Sequence, residues 1–67
     1  MDKEIVEHFL GKFVQLSRRS KGQVYKLYGE IKQVTDDSIL IQTDMLGAVL
    51  LEDIVSIRET KRRRKDA

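Results

Sequence analysis

Between Gln23 and Val34 the chain alternates, with Leu27, Gly29 and Ile31 on one side and Lys26, Tyr28, Glu30 and Lys32 on the other. A period of two is the repeat of a strand with two distinct faces, and it argues against a helix here. A glycine inside so long a strand marks strong curvature or a close backbone approach. The neighbouring segments are short, and no link between them is long enough for a crossover helix, so antiparallel partners are expected. A sheet bent in this way hides its edges by curling into a barrel. The predicted class is therefore mostly β: a short N-terminal helix followed by a five-stranded, antiparallel, strongly bent small barrel.

The rest of the chain fits around that strand. Asp2 to Leu10 reads as a short helix, with Asp2 as its cap, Glu4 in its first turn and Ile5, Val6, Phe9 and Leu10 along one apolar edge. So short a helix is not stable alone in water and must dock. Gly11 is its natural stop. Phe13 to Leu16 reads as the first strand, and Arg18 to Gly22 as a polar connection. Thr35 to Ser38 is a turn signal, with Asp36 and Asp37 expected to bond local backbone amides. Strands follow at Ser38–Thr43, Ala48–Leu51 and Ile54–Arg58, with Asp44–Gly47 as a turn and Glu52-Asp53 as a single helical turn. Residues 1–58 form one expected domain, and 59–67 a solvated basic tail. Val14, Leu16, Leu27, Ile31, Ile39, Ile41, Val49, Leu51 and Ile57 are the expected core.

At 67 residues, a chain buries only roughly 60% of the surface that its unfolded form exposes, so support from a second subunit is expected. The absence of cysteine excludes disulfides, thiolate–metal sites and cysteine nucleophiles. No apolar run approaches the ~18 residues that cross a membrane, and the first residues lack a signal-peptide pattern; no membrane association and a cytoplasmic location are the expectations. The formal charge of +2 is unevenly spread. Met1 to Ile57 carries a net −2 and Arg58 to Ala67 a net +4.

Order and spacing together resemble the Sm-like small barrels, the family of the Sm and Lsm proteins and the bacterial RNA chaperone Hfq. The resemblance is carried by Gly11, Lys12, Val14 and Leu16 after a short helix, by Gly29 and Ile31 in a long bent strand, and by the closing segment Val49 to Ile57. It implies an SH3-like barrel, RNA binding and assembly into a homo-oligomeric ring. The family's base-holding pairs would fall near Ser38 and Ile39 and on Leu50 and Leu51, where the matching residue types do not stand. The C-terminal barrel of the biotin protein ligases, another SH3-like fold, is similar nearly as closely.

No catalytic constellation is visible, so no enzyme is expected. His8 is the only histidine and has no second ligand or acid–base partner in sequence. Asp36 and Asp37 do not make a calcium loop, which needs six to eight oxygen ligands. The four glycines are too scattered for a phosphate loop. No metal and no cofactor are expected.

Nucleic-acid binding has better material. Arg18, Arg19 and Lys21 form one basic cluster, and Lys61, Arg62, Arg63, Arg64 and Lys65 a second. Cations of this kind neutralise phosphates without reading sequence. Tyr25 and Tyr28 are candidate stacking platforms for bases. Phe13, Leu40, Leu50 and Val55 fall on the outer side of the expected barrel, more than one short helix can cover, and are the expected oligomer interface. RNA is the expected partner. The alternatives are a protein-interaction or assembly module working through that apolar face, and a small architectural DNA-binding protein.

Overall fold

The computed structural model describes residues 1–60, so Lys61, Arg62, Arg63, Arg64 and Lys65 lie outside the described residues. Five antiparallel strands build one sheet: β1 (Phe13–Ser20), β2 (Gln23–Val34), β3 (Ser38–Gln42), β4 (Leu46–Leu50) and β5 (Ile54–Glu59). Their spatial order is β4-β3-β2-β1-β5. The expected closed barrel is not what the ladders form. The sheet is open, with β4 and β5 as its edges and no ladder between them among the described residues. A 3-10 turn, Leu51–Asp53, leads from one edge to the other and touches both β1 and β3. There the Leu51 amide donates to the Asp37 carbonyl at 2.9 Å.

The hairpin of β1 and β2 is longer than the sequence predicts. Arg18, Arg19 and Ser20 read as a polar connection, yet they continue β1 and pair with Tyr25, Val24 and Gln23. Only Lys21 and Gly22 turn the chain, at φ values of 50° and 80°. Positive φ at both central residues is the requirement of a type I′ turn, whose twist matches that of the strands it joins. Ladder hydrogen bonds satisfy the polar backbone of Arg18 to Ser20 irrespective of side-chain polarity. β4 likewise begins at Leu46, two residues before its expected start.

Gly29 gives β2 its close approach. A side chain there would collide with the backbone carbonyl of Gln42 at the end of β3. Register shifts between Ile31 and Gln33 and between Ser17 and Arg18 add further bends.

One side of the sheet holds the core. Val14, Leu16, Ile31, Ile39, Ile41, Val49 and Leu51 are buried, as expected. Leu27 and Ile57 are only partly buried and pack against this core, whereas Val6 and Ile54 are buried within it. Val6 comes from helix α1 (Lys3–Glu7), shorter than the expected Asp2–Leu10. After it the chain tightens, with Phe9 and Leu10 amides bonding the Val6 and Glu7 carbonyls, and Gly11 at φ 82° turns into a pairing with Ile31. Asp2 stands at the cap position without a side-chain capping bond. Ile5 and Leu10 remain exposed, so only part of the predicted apolar edge is used.

Candidate nucleic-acid interface on the outer sheet face

Strand alternation puts every second residue of the sheet on its outer face. On β1 these are Phe13, Gln15, Ser17 and Arg19; their β2 partners are Glu30, Tyr28, Lys26 and Val24. β5 contributes Arg58 opposite Gln15, and β3 contributes Gln42 opposite Glu30. Six of them, Phe13, Gln15, Lys26, Tyr28, Gln42 and Arg58, line an open cleft of about 680 Å³ together with Leu27, Thr43, Asp44 and Thr60. That volume lies within the roughly 300–1,000 Å³ of small-ligand sites. Within the cleft lining the Arg58 guanidinium donates to Gln15 Oε1 at 3.1 Å.

The ion pairs show which cations are committed to the fold. Lys3 pairs with Asp36 at 2.8 Å and lies 3.9 Å from Glu7; Lys12 meets Glu59, Lys32 meets Glu30, and Arg18 meets Asp53 at 3.8 Å. Arg19, Lys21 and Lys26 enter no ion pair among the described residues, and the hydrogen-bond partner of Arg58 is the neutral Gln15. Three of these four, Arg19, Lys26 and Arg58, belong to the outer face, and Lys21 stands at the hairpin tip. The structure thus divides the basic cluster predicted at Arg18 to Lys21. Arg18 lies on the opposite face, half-buried against Asp53, with its Nε atom buried and unpartnered.

The two tyrosines are separated in the same way. Three residues apart on a strand, they must face opposite sides. Tyr28 belongs to the outer face and the cleft, half-exposed at 53%. Tyr25 pairs in register with Arg18, and its hydroxyl donates to Gln23 Oε1 at 2.9 Å. Of the four residues expected at an oligomer interface, Phe13 lies in the cleft, Leu40 is half-buried on β3, and Leu50 and Val55 are exposed on the two edge strands. They do not lie on one strand pair.

Gln15, Lys26, Gln42 and Arg58 are cleft residues that residue type alone does not single out. The shared parity of Lys26 and Tyr28 is readable from alternation. The meeting of Gln15 with Arg58, 43 positions apart, depends on the β1–β5 register.

A second hollow, of about 490 Å³, lies where the N-terminus meets the 3-10 turn and is lined by Asp2, Asp36, Asp37 and Glu52 with Met1 and Lys3. There the amino terminus donates to the Leu51 carbonyl at 2.9 Å, and Lys3 holds the Asp36 carboxyl below the usual carboxylate range by hydrogen bond and charge. Its four carboxylates disfavour a phosphate ligand. The turn beside it is held by Thr35 and Ser38 rather than by Asp36: the Ser38 amide donates to the Thr35 hydroxyl at 3.1 Å, and the two hydroxyls are 2.9 Å apart. Among the described residues no group of three or more His, Asp or Glu is arranged to hold a metal ion, and no helix is long and apolar enough to cross a membrane. Comparisons with protein-family models, with curated proteins and with solved structures find no match to this chain.

Proposed function

We propose that this protein is a non-enzymatic RNA-binding protein of the Sm-like small-barrel type, which holds single-stranded RNA on its outer sheet face and works as a homo-oligomer. One observation carries the reading. In a fold whose first 57 residues are net acidic, three of the four side-chain cations that enter no ion pair among the described residues share a face with an exposed aromatic ring and a cleft. Arg19, Lys26 and Arg58 supply phosphate contacts, and Tyr28 supplies a stacking surface worth about 1–3 kcal/mol per base. Lys61 to Lys65 extend the positive charge along the chain.

A cleft with an exposed ring suits unstacked bases better than a duplex, whose bases are already stacked on each other. RNA is therefore favoured over the architectural DNA reading. The homo-oligomeric part rests on the open sheet, whose edge strand β4 exposes Leu46 and Leu50 beside Met45. Unpaired strand edges with apolar side chains invite pairing with another chain.

A fluorescence titration of labelled single-stranded RNA at two salt concentrations tests the proposal. Micromolar or tighter binding at ~50 mM salt, weakening steeply as salt rises, is the expected result. Lys26→Ala and Tyr28→Ala are each expected to weaken it several-fold. No binding at the lower salt overturns the reading. Equal affinity for matched duplex DNA turns it toward the architectural alternative, and recovery of a defined protein partner after nuclease treatment toward an assembly module.

A further inference from the structure

We infer that the outer-face cleft discriminates between purines, accepting guanine and disfavouring adenine, with Gln15 as the specificity-determining residue and Arg58 as the residue that orients it. This inference rests on the RNA-binding reading above and names the ligand of that same cleft.

The direction of one hydrogen bond has no ambiguity. A guanidinium has only donors, so the Arg58 contact at 3.1 Å requires the oxygen of the Gln15 amide to face it. The amide nitrogen, with its two N–H groups, is then turned away from Arg58. Without such a partner a glutamine presents either end and reads nothing; with it, Gln15 has a defined polarity. Two of its neighbours in the cleft, Arg58 and Lys26, have the same polarity, whereas the Asp44 carboxylate, which only accepts, lines the side beyond β3. Arg58 keeps further N–H donors, and the Lys26 ammonium offers three and no acceptor. On the β1, β2 and β5 side of the cleft, Gln15, Lys26 and Arg58 therefore present donors.

Tyr28 lies directly across the β1–β2 ladder from Gln15, and Phe13 lies beside it in the cleft. A base stacked on the Tyr28 ring turns its edge toward Gln15 and Arg58. Guanine carries two adjacent acceptors there, O6 and N7, which match a pair of donors. Adenine has N7 beside an amino group, so one donor would face another, and a polar group desolvated without a partner costs more than a hydrogen bond gains. Both purines stack alike and carry the same phosphate, which leaves the edge to decide between them.

The test uses three RNA nonamers of equal length and charge, with repeats of UUA, UUG and UU-inosine, titrated into the full-length protein at low salt. Inosine keeps O6 and N7 and lacks the 2-amino group. The UUG and inosine RNAs are expected to bind alike, each about five- to tenfold more tightly than UUA, the scale of one gained contact against one unpaired donor. Gln15→Glu, which replaces the donors by acceptors, is expected to abolish the preference, and so is Arg58→Met, which frees the amide to turn over. Melting curves report whether either variant is folded, and the comparison of the three RNAs on the unaltered protein stands without them. Equal binding of all three RNAs overturns this inference and leaves RNA binding intact. A preference for guanine that inosine does not share places the readout at the 2-amino group and also overturns it. If none of the three binds, the RNA reading itself fails.

Discussion

Gly29 and Gly22 are both required, for different physical reasons. Gly29 has an ordinary strand conformation, but a Cβ there would meet the Gln42 carbonyl, which is backbone and cannot rotate away. Gly29→Ala is expected to lower stability by about 1–3 kcal/mol in urea melts, the usual cost of overpacking. That is a large part of the roughly 5–15 kcal/mol that holds a domain together. Gly22 has open space around it and a φ of 80°, so its requirement is conformational. Lys21, the other half of the turn, is the one residue besides glycine with a positive φ among those described. Asparagine tolerates that region and is favoured at the first position of such turns. Lys21→Asn is therefore expected to stabilise the protein by about 0.5–1 kcal/mol, read as a higher melting temperature. The role of Gly29 was legible in the sequence, because a glycine that interrupts a regular strand alternation marks a bend or a close approach of backbone. The turn at Lys21 was not, since Arg18 to Ser20 have loop-like side chains and their strand conformation comes from partners across the hairpin.

At the scale of elements, helix α1 is held by one buried side chain, Val6, and by polar ties at its start. The Lys3–Asp36 hydrogen bond and charge attraction lower the Asp36 pKa and raise that of Lys3. The contribution from Asp36 is therefore present above the unfolded carboxylate value and lost as pH falls through the lowered folded value. The contribution from Lys3 is present below the unfolded ammonium value and lost as pH rises through the raised folded value. Both side chains are exposed, so water and salt screen the pair and the effect on global stability is small. What is expected is a local change. Amide shifts of Lys3 to Glu7 followed by NMR should move as acid protonates Asp36, and Asp36→Asn should remove that step while leaving the melting temperature near neutrality almost unchanged. The helix itself was legible from its cap and apolar edge, but its length was not. The last turn gives way because Gly11 must reach the Ile31 carbonyl, a tertiary demand that no local pattern records.

For the molecule as a whole, the open sheet connects the proposed binding face with assembly. The sequence conveyed the strand count, the antiparallel order and most of the core, since each follows from alternation and short links. It did not convey which cations are neutralised, because Arg18 and Asp53 meet only through the path of the 3-10 turn. That pairing is why the outer face, and not the whole Arg18–Lys21 cluster, is the proposed site. The cleft draws on β1, β2, β3 and β5, whereas the exposed apolar row of β4 lies outside it. Binding chemistry and subunit contact are thus separable by mutation. Leu46→Lys places a charge on the open edge, the means by which natural sheets prevent edge pairing. If β4 carries the subunit contact, this variant is expected to run as a monomer in size-exclusion chromatography with light scattering, while the native chain runs as an oligomer. Its affinity for an RNA long enough to span several subunits should fall by roughly ten- to a hundredfold or more, because linked sites gain from effective concentration. Its affinity for a trinucleotide confined to one cleft should stay within about twofold, since no cleft residue has changed. A native chain that is monomeric removes homo-oligomerisation from the proposal, and equal losses for the long and short RNAs would mean that β4 belongs to the binding face itself.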